Sequence, residues 1–389
     1  MRVLFIHNYY QNSGGEDVVF EQEVAMLREY GITVECLLFN NNGFDKGTII
    51  NKLKIGYTTI YNVQSIKILK DVLENFKPNI VHIHNLFYTA SPAIIKTIKD
   101  CGIPVVMTLH NYRLVCSSGM LMRSGEIPCE KCTNKILPFD GIRNKCFRES
   151  RLQTAQLTAT VAIHKLIGTW KRIDKFIVLT NFAREKILNS SLRLLPSQIV
   201  VKPNAVPDYG YNEQNSRENF FLYVGRLSQE KGIRTLIQAA KEYNFTIKII
   251  GDGPLRLDVE NAVLNNNNIK YLGQQPKEVV VNELKKSSAV IVPSICYEGL
   301  PTIILEAFST GTVVIHSDSP NLNLIVNESG YKFKTNDSQS LIEKVKEVQE
   351  TEKNLNKFNL SRALYIENYT EEAVLQTQLK VYKEVIRRK

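Results

Sequence analysis

Short apolar runs alternate with amphipathic stretches along most of this chain. In the first half, positions 3–7, 33–39, 80–84, 105–110 and 176–179 carry the dense β-branched and aliphatic runs expected of buried strands. Between them, apolar residues recur at helical spacing over about 18–30 and 92–100, and again from Phe182. Strands that alternate with helices predict a parallel sheet covered on both faces. The pattern breaks at 200–215, which is rich in Pro, Asn and Gly and reads as an interdomain linker. A second series follows, with strands expected at 220–224, 246–250, 269–272, 289–293 and 312–316 and helices over 233–241, 277–286 and about 301–310. The final stretch places Val374, Leu375, Leu379, Tyr382, Val385 and Ile386 on one face of a terminal amphipathic helix at about 371–389.

The predicted fold class is α/β, with two doubly wound, Rossmann-like domains. The first spans 1–205 and is joined by the C-terminal helix; the second spans 206–370. Open parallel sheets bind ligands beyond the carboxyl ends of their strands, so chemistry is expected in those loops and in a cleft between the domains.

A chain of 389 residues exceeds one typical core and agrees with two domains. No apolar run approaches the roughly 20 residues needed to cross a bilayer, and the first apolar stretch is too short for a signal peptide. The expected location is the cytoplasm. Net charge is +10, and most of the excess lies between Gly141 and Lys202, where twelve Lys and Arg face three acids. Phe147, Ile163, Leu166, Ile167 and Trp170 lie among these cations, so the stretch suits peripheral docking on the anionic inner face of a plasma membrane. A solvated face or a nucleic-acid surface would show the same charge.

Candidate chemistry sits after strands, as the fold requires. Gly225-Arg226-Leu-Ser-Gln-Glu-Lys231-Gly232 puts two cations and a glycine at a strand end, which suits a diphosphate or an ordinary charged turn. Gly251-Asp-Gly253-Pro254 is a glycine turn at the same expected sheet edge. In Tyr297-Glu298-Gly299-Leu300-Pro301, free amides would face an anion with Glu298 just ahead of them. Glu306 lies five residues into the following helix, roughly 7.5 Å along its axis. That separation suits a carboxylate binding the ribose beside a diphosphate, or simply two acids on a helix. No G-x-G-x-x-G follows the first strand, which argues against a nicotinamide oxidoreductase.

Arg226-Leu-x-x-Glu-Lys231-Gly232, Gly251-Asp-Gly253-Pro254 and Glu298-Gly-Leu-Pro-x-x-x-x-Glu306-Ala together resemble the donor-site motifs of the family 4 retaining glycosyltransferases, of the group 1 type, which have the GT-B fold. In the first half, Asn12-Ser-Gly14-Gly15-Glu16 is similar to that family's glycine loop, Val81-His-Ile-His84 to its core strand, and Thr108-Leu-His110-Asn111 to its histidine motif. The resemblance implies that Arg226 and Lys231 bind the nucleotide diphosphate, with Gly253 beside them, and that Glu306 binds the ribose. It also implies that Glu298, Gly299 and Leu300 hold the donor sugar with His110 alongside, and that Gly14 and Gly15 admit phosphate or acceptor. His110 and Glu298 would be the catalytic pair. No catalytic metal is implied; the donor would be a nucleotide-diphosphate sugar, and the acceptor a saccharide or lipid-linked saccharide of bacterial surface polysaccharide synthesis. The chain departs from the family at Ala205, where Pro-Asn-Gly is common, and at Leu324, where an acid is frequent. A GT-B sugar-nucleotide epimerase or phosphorylase is the alternative within enzymes, against which the spacing of Glu298 and Glu306 argues. A basic nucleic-acid-binding protein is the alternative outside them; it would want an aromatic-rich basic platform or a recognition helix, and the loops after strands point instead to small anionic ligands.

Four of seven cysteines, Cys116, Cys129, Cys132 and Cys146, crowd one polar region. Their spacing is compatible with structural zinc, with free thiols or with disulfides. Part of the family shares this N-Y-R-L-x-C start and C-x-x-C insert, which implies an elaboration on the acceptor side.

Overall fold

The computed structural model describes residues 1–10, 14–41, 56–211, 217–350 and 355–387. Asn12 and Ser13 of the glycine loop, 212–215 of the expected linker and the last two positions of the terminal helix lie outside them. The chain divides into two compact units: the first comprises Met1–Ser124, Cys129–Pro203 and Val374–Lys389, the second Gly125–Pro128 and Asn204–Ala373.

The first unit is built on β1 (Arg2–Tyr9), β2 (Thr33–Asn40), β3 (Ile80–Ile83), β4 (Val105–Leu109), β7 (Lys175–Val178) and β8 (Ile199–Val201). Their order is β2-β1-β3-β4-β7-β8 and every pairing is parallel. All four residues of β3 and all five of β4 are buried, the signature of strands covered on both faces. Their continuous aliphatic sequence is what permits that burial. The helix Gly15–Glu29 covers β1 with Phe20, Val24 and Leu27. The helix Glu371–Arg387 completes the same core, bringing Leu375, Leu379, Tyr382 and Val385 against Val3 and Phe5. Two short strands, β5 (Met122–Arg123) and β6 (Ile127–Pro128), pair as a ribbon.

The second unit contains β9 (Phe221–Val224), β10 (Ile247–Ile250), β11 (Ile269–Gly273), β12 (Ala289–Val292), β13 (Val314–Ser317) and β14 (Tyr331–Phe333). Their order is β11-β10-β9-β12-β13-β14, again parallel throughout. This places the loops after β10, β9 and β12 side by side at one sheet edge.

Three expectations change. Residues 199–201 are strand β8, so the region read as linker starts later than position 200. Trp170 is buried, with its indole N–H donating to the carbonyl of Val161, and so contributes nothing to an apolar surface. The basic excess of 141–202 is partly internal: Lys175 is buried and pairs with Glu384 at 2.9 Å, and Lys202 is 1% exposed. A charge count along the sequence cannot separate a paired core lysine from a solvated one.

Candidate functional site

In the second unit, the loop after β9 runs from Gly225 into the helix Ile233–Glu242. Gly232 sits at φ 70°, and a Cβ there would lie 1.9 Å from the carbonyl oxygen of Pro293. Only glycine lets this loop pass so close to the one after β12. The contact is reinforced by the amide of Ile295, which donates to the Glu230 carbonyl at 2.8 Å. On the other side the amide of Leu227 donates to the Asp252 carbonyl, and a Cβ on Gly253 would meet the Leu227 carbonyl at 2.5 Å. Three loops are thereby locked together.

These loops bring Lys231 and Glu298, 67 positions apart, to 2.6 Å. Ser294 Oγ donates to the same Glu298 oxygen, also at 2.6 Å. Burial alone would raise the Glu298 carboxyl and lower the Lys231 ammonium. Each reverses the effect for the other, so Glu298 lies below and Lys231 above its ordinary range. Arg226 is exposed and its guanidinium has no partner among the described residues. Glu298 precedes Gly299 and Leu300, whose amides make no hydrogen bond among the described residues, at the entrance to the helix Thr302–Ser309. Asn321 Nδ2 holds this turn by donating to the carbonyl of Gly299 at 2.7 Å. Glu306 is 3% exposed and takes an ion pair from Lys277, the first residue of the helix Lys277–Lys286. The arrangement offers an anion one unpaired guanidinium, one ammonium and two amides, with two buried carboxylates nearby.

In the first unit, His110 follows β4 and lines a pocket with Tyr10, Glu16, His84, Asn111 and Arg113. His110 Nε2 lies 2.9 Å from His84 Nδ1. The far nitrogen of His84, Nε2, is buried without a hydrogen bond and faces Glu23 Oε1 at 3.6 Å. A lone pair directed at a carboxylate would be repelled, so the proton of His84 sits on Nε2 and its Nδ1 accepts from His110. His110 is left with Nδ1 as an acceptor. Burial, and then the neighbouring His84, keep His110 well below the ordinary histidine range, so it is neutral. Beneath it, Glu23 accepts from Lys202 Nζ at 2.8 Å and from Gln378 Nε2. His82 Nδ1 bonds the Tyr382 hydroxyl at 2.6 Å and its Nε2 bonds Thr108 Oγ1 at 2.8 Å. Glu23, His82 and His84 are the described residues whose ligand atoms cluster within 4.8 Å. They do not fit a cation, because the Lys202 ammonium is already on the carboxylate and both nitrogens of His82 are engaged.

Gly14 caps the helix that Gly15 begins, with its amide held by Asp17 Oδ2 at 3.0 Å. A Cβ on either glycine would meet nothing within 4 Å among the described residues.

Residues 211–361 match the family model described as glycosyl transferases group 1. The chain is 24% identical over 398 aligned positions to an uncharacterised glycosyltransferase of Methanocaldococcus jannaschii, covering 99% of each. It is 27% identical, over 73% of this chain and 69% of the other, to the Escherichia coli UDP-Gal:alpha-D-GlcNAc-diphosphoundecaprenol alpha-1,3-galactosyltransferase. Among solved structures, the Anabaena HepE protein in complex with UDP superposes with a TM-score of 0.66 at 14% identity, over 99% of this chain and 100% of that one. Over residues 211–361 the chain matches the group 1 glycosyltransferases, and over its whole length it is similar to a glycosyltransferase. Its fold is GT-B.

In this glycosyltransferase no three of the four clustered sulfurs lie within 4.8 Å of one another. Cys116 Sγ is 3.2 Å from Ser118 Oγ instead. Burial, and then the neighbouring Cys116, push the Cys132 thiol up to about 12 and the Cys146 thiol to about 11. Sequence reading missed Lys277, Lys202, Tyr10 and Arg113 as partners in these clusters. Their contacts join segments far apart in sequence, and only the adjacency of Tyr10 to the glycine loop hinted at any of them.

Proposed function

We propose that this glycosyltransferase transfers a sugar, with retention of anomeric configuration, from a nucleoside-diphosphate sugar to a saccharide or lipid-linked saccharide in bacterial surface polysaccharide synthesis. The unpaired Arg226 guanidinium, on the same loop as Lys231 of the Lys231–Glu298 pair, supports the reading together with the free Gly299 and Leu300 amides: these groups suit a diphosphate that is neutralised by fixed cations and amides. Glu306, five residues into the helix, binds the ribose diol, and Glu298 with His110 serves the transferred sugar. The Escherichia coli relative, by its name, uses UDP-galactose and a diphosphoundecaprenol-linked acceptor, which supports both substrate classes.

Calorimetry with UDP separates the two acids. Glu306→Gln is expected to weaken UDP by about 1.5–3 kcal/mol if a charge-assisted hydrogen bond to ribose is lost. Glu298→Gln is expected to leave UDP affinity within threefold of the parent while lowering kcat with a sugar nucleotide. Equal losses of UDP affinity with unchanged kcat would reduce the pair to a nucleotide clamp. Proton NMR of the product anomeric centre then decides retention against inversion.

No helix among the described residues is long and apolar enough to cross a membrane. Leu166 and Ile167 are 70% and 60% exposed at the end of the helix Arg151–Leu166, just before the exposed Lys171 and Arg172. An apolar pair beside two cations suits shallow docking on an anionic bilayer. The protein is expected to sediment with phosphatidylglycerol vesicles and not with phosphatidylcholine vesicles, and Leu166→Ser with Ile167→Ser to release it. Equal sedimentation with both lipids would remove the proposed surface.

A further inference from the structure

Glu16 is the second residue of the helix Gly15–Glu29 and faces the pocket of His110. Tyr10 Oη donates to Glu16 Oε2 at 3.1 Å, and Asn111 Nδ2 donates to the same oxygen at 3.2 Å. Asn111 Nδ2 also reaches Tyr10 Oη at 3.4 Å, which closes a three-membered network. Both bonds to the carboxyl therefore fall on one oxygen. Glu16 Oε1 makes no hydrogen bond among the described residues. Arg113 faces the same pocket, with its guanidinium carbon 5.9 Å from the centre of the Tyr10 ring and 5.3 Å from that of Phe147. No carboxylate of the described residues lies within ion-pairing distance of it, and its Nε is buried without a partner.

The pocket thus presents two acceptors, Glu16 Oε1 and His110 Nδ1, and a guanidinium held between aromatic rings. That inventory matches a group that both donates and accepts hydrogen bonds. A sugar hydroxyl does so. A phosphate or carboxylate has nothing to donate and would meet the Glu16 carboxylate as a like charge. Tyr10 and Phe87 line the same pocket and add an apolar wall of the kind that lies against a sugar ring face.

We propose that Glu16 is an acceptor-binding residue, clamped through Oε2 by Tyr10 and Asn111 so that Oε1 receives a hydroxyl of an uncharged saccharide. This rests on the glycosyl-transfer reading only in calling that saccharide the acceptor. The bond is charge-assisted while Glu16 is ionised, and about twice as strong as its neutral counterpart. Burial lifts the Glu16 carboxyl to about 7, and Asp17 adds to the rise; Tyr10, Arg113 and Asn111 act against it. The group therefore gains and loses its proton across the neutral range. Saccharide affinity follows: full above that range, falling as the pH drops through it.

The test is calorimetric titration of the full chain with methyl α-glucoside, methyl α-galactoside, methyl α-mannoside and methyl N-acetyl-α-glucosaminide at pH 6 and pH 8. Binding only to the carboxylate form predicts about tenfold tighter binding at pH 8 for the glycoside that fits. Glu16→Gln is expected to weaken that glycoside at pH 8 and to remove the pH dependence. Tyr10→Phe deletes a hydrogen bond that favours the charged form, so it moves the acid limb to higher pH. A purely structural role for Glu16 would not produce that movement. Overturning results are a pH dependence that survives Glu16→Gln, an acid limb that Tyr10→Phe leaves in place, or no glycoside binding to the parent protein. UDP titrations on the same samples keep the two readings apart. Parent protein that binds a glycoside in this pattern but not UDP would retain the pocket and lose the sugar-nucleotide donor. A thermal melt and near-ultraviolet circular dichroism of Glu16→Gln equal to those of the parent show that the variant is folded.

Discussion

Replacing Lys202 with Met is expected to destabilise the first unit by about 3–5 kcal/mol, the usual cost of leaving one member of a buried ion pair alone. Lys202 and Glu23 are 2% and 4% exposed at their side chains and 2.8 Å apart, so water cannot take the place of the lost ammonium. The cost comes from the stranded carboxylate more than from the missing lysine. Glu23→Gln added to Lys202→Met should therefore recover much of the loss, and a double variant no more stable than Lys202→Met would discount the ion pair. The pH dependence supplies an independent check. Burial by itself raises the Glu23 carboxyl, but Lys202, His84 and His82 together hold it well below the ordinary value. A depressed carboxyl stabilises the fold above its unfolded value and loses that contribution as the pH falls towards its folded value. In Lys202→Met burial prevails, the folded value rises, and the variant should gain stability on mild acidification while the parent loses it. Thermal melts between pH 4 and pH 7 read both slopes.

Lys231→Ala is expected to weaken UDP more than Arg226→Ala does, although both remove one cation from the same loop. Loss of a charge-assisted hydrogen bond from Arg226 costs about 1.5–3 kcal/mol, roughly a tenfold to hundredfold rise in Kd. Removing Lys231 does the same and also exposes the diphosphate to Glu298, whose charge the lysine had balanced at 2.6 Å. Glu298→Gln combined with Lys231→Ala should then bind UDP more tightly than Lys231→Ala alone. Calorimetry showing equal effects of the two cation variants, with no recovery in the double variant, would remove Glu298 from the neighbourhood of the phosphates.

The α/β class and ten of the twelve strands of the two large sheets were legible because each of those strands is an aliphatic run bounded by turn residues. The two that were not, Ile199–Val201 and Tyr331–Phe333, are three-residue strands at the edges of their sheets. An edge strand pairs on one side only, and three residues are too few to establish a period of two. Glycine loops after strands were legible for the same reason as the strands: a glycine between an apolar run and a helix marks the turn. What linear spacing could not supply was pairing. Glu298 and Glu306 stand eight positions apart, yet the structure gives each its own lysine, one from the loop after β9 and one from the start of the helix Lys277–Lys286. Lys202 entered the reading as surface charge, and the carboxylate that explains it lies 179 positions earlier. Glu16 could be quoted from its motif, but its one-sided clamp depends on Asn111 from a different strand end.

The path of the chain sets an order of assembly. Gln378 bonds Glu23 across 355 positions, and Tyr382 bonds His82 across 300. Leu375, Leu379 and Val385 fill the same core. All of these residues leave the ribosome after the whole second unit has been made. The second unit can close its sheet as it emerges, whereas the first must wait with the face of Val3, Phe5 and His82 uncovered until the final helix arrives. The core of the first unit is therefore complete only after the second unit has been made, against the N-terminus-forward order usual in multidomain chains.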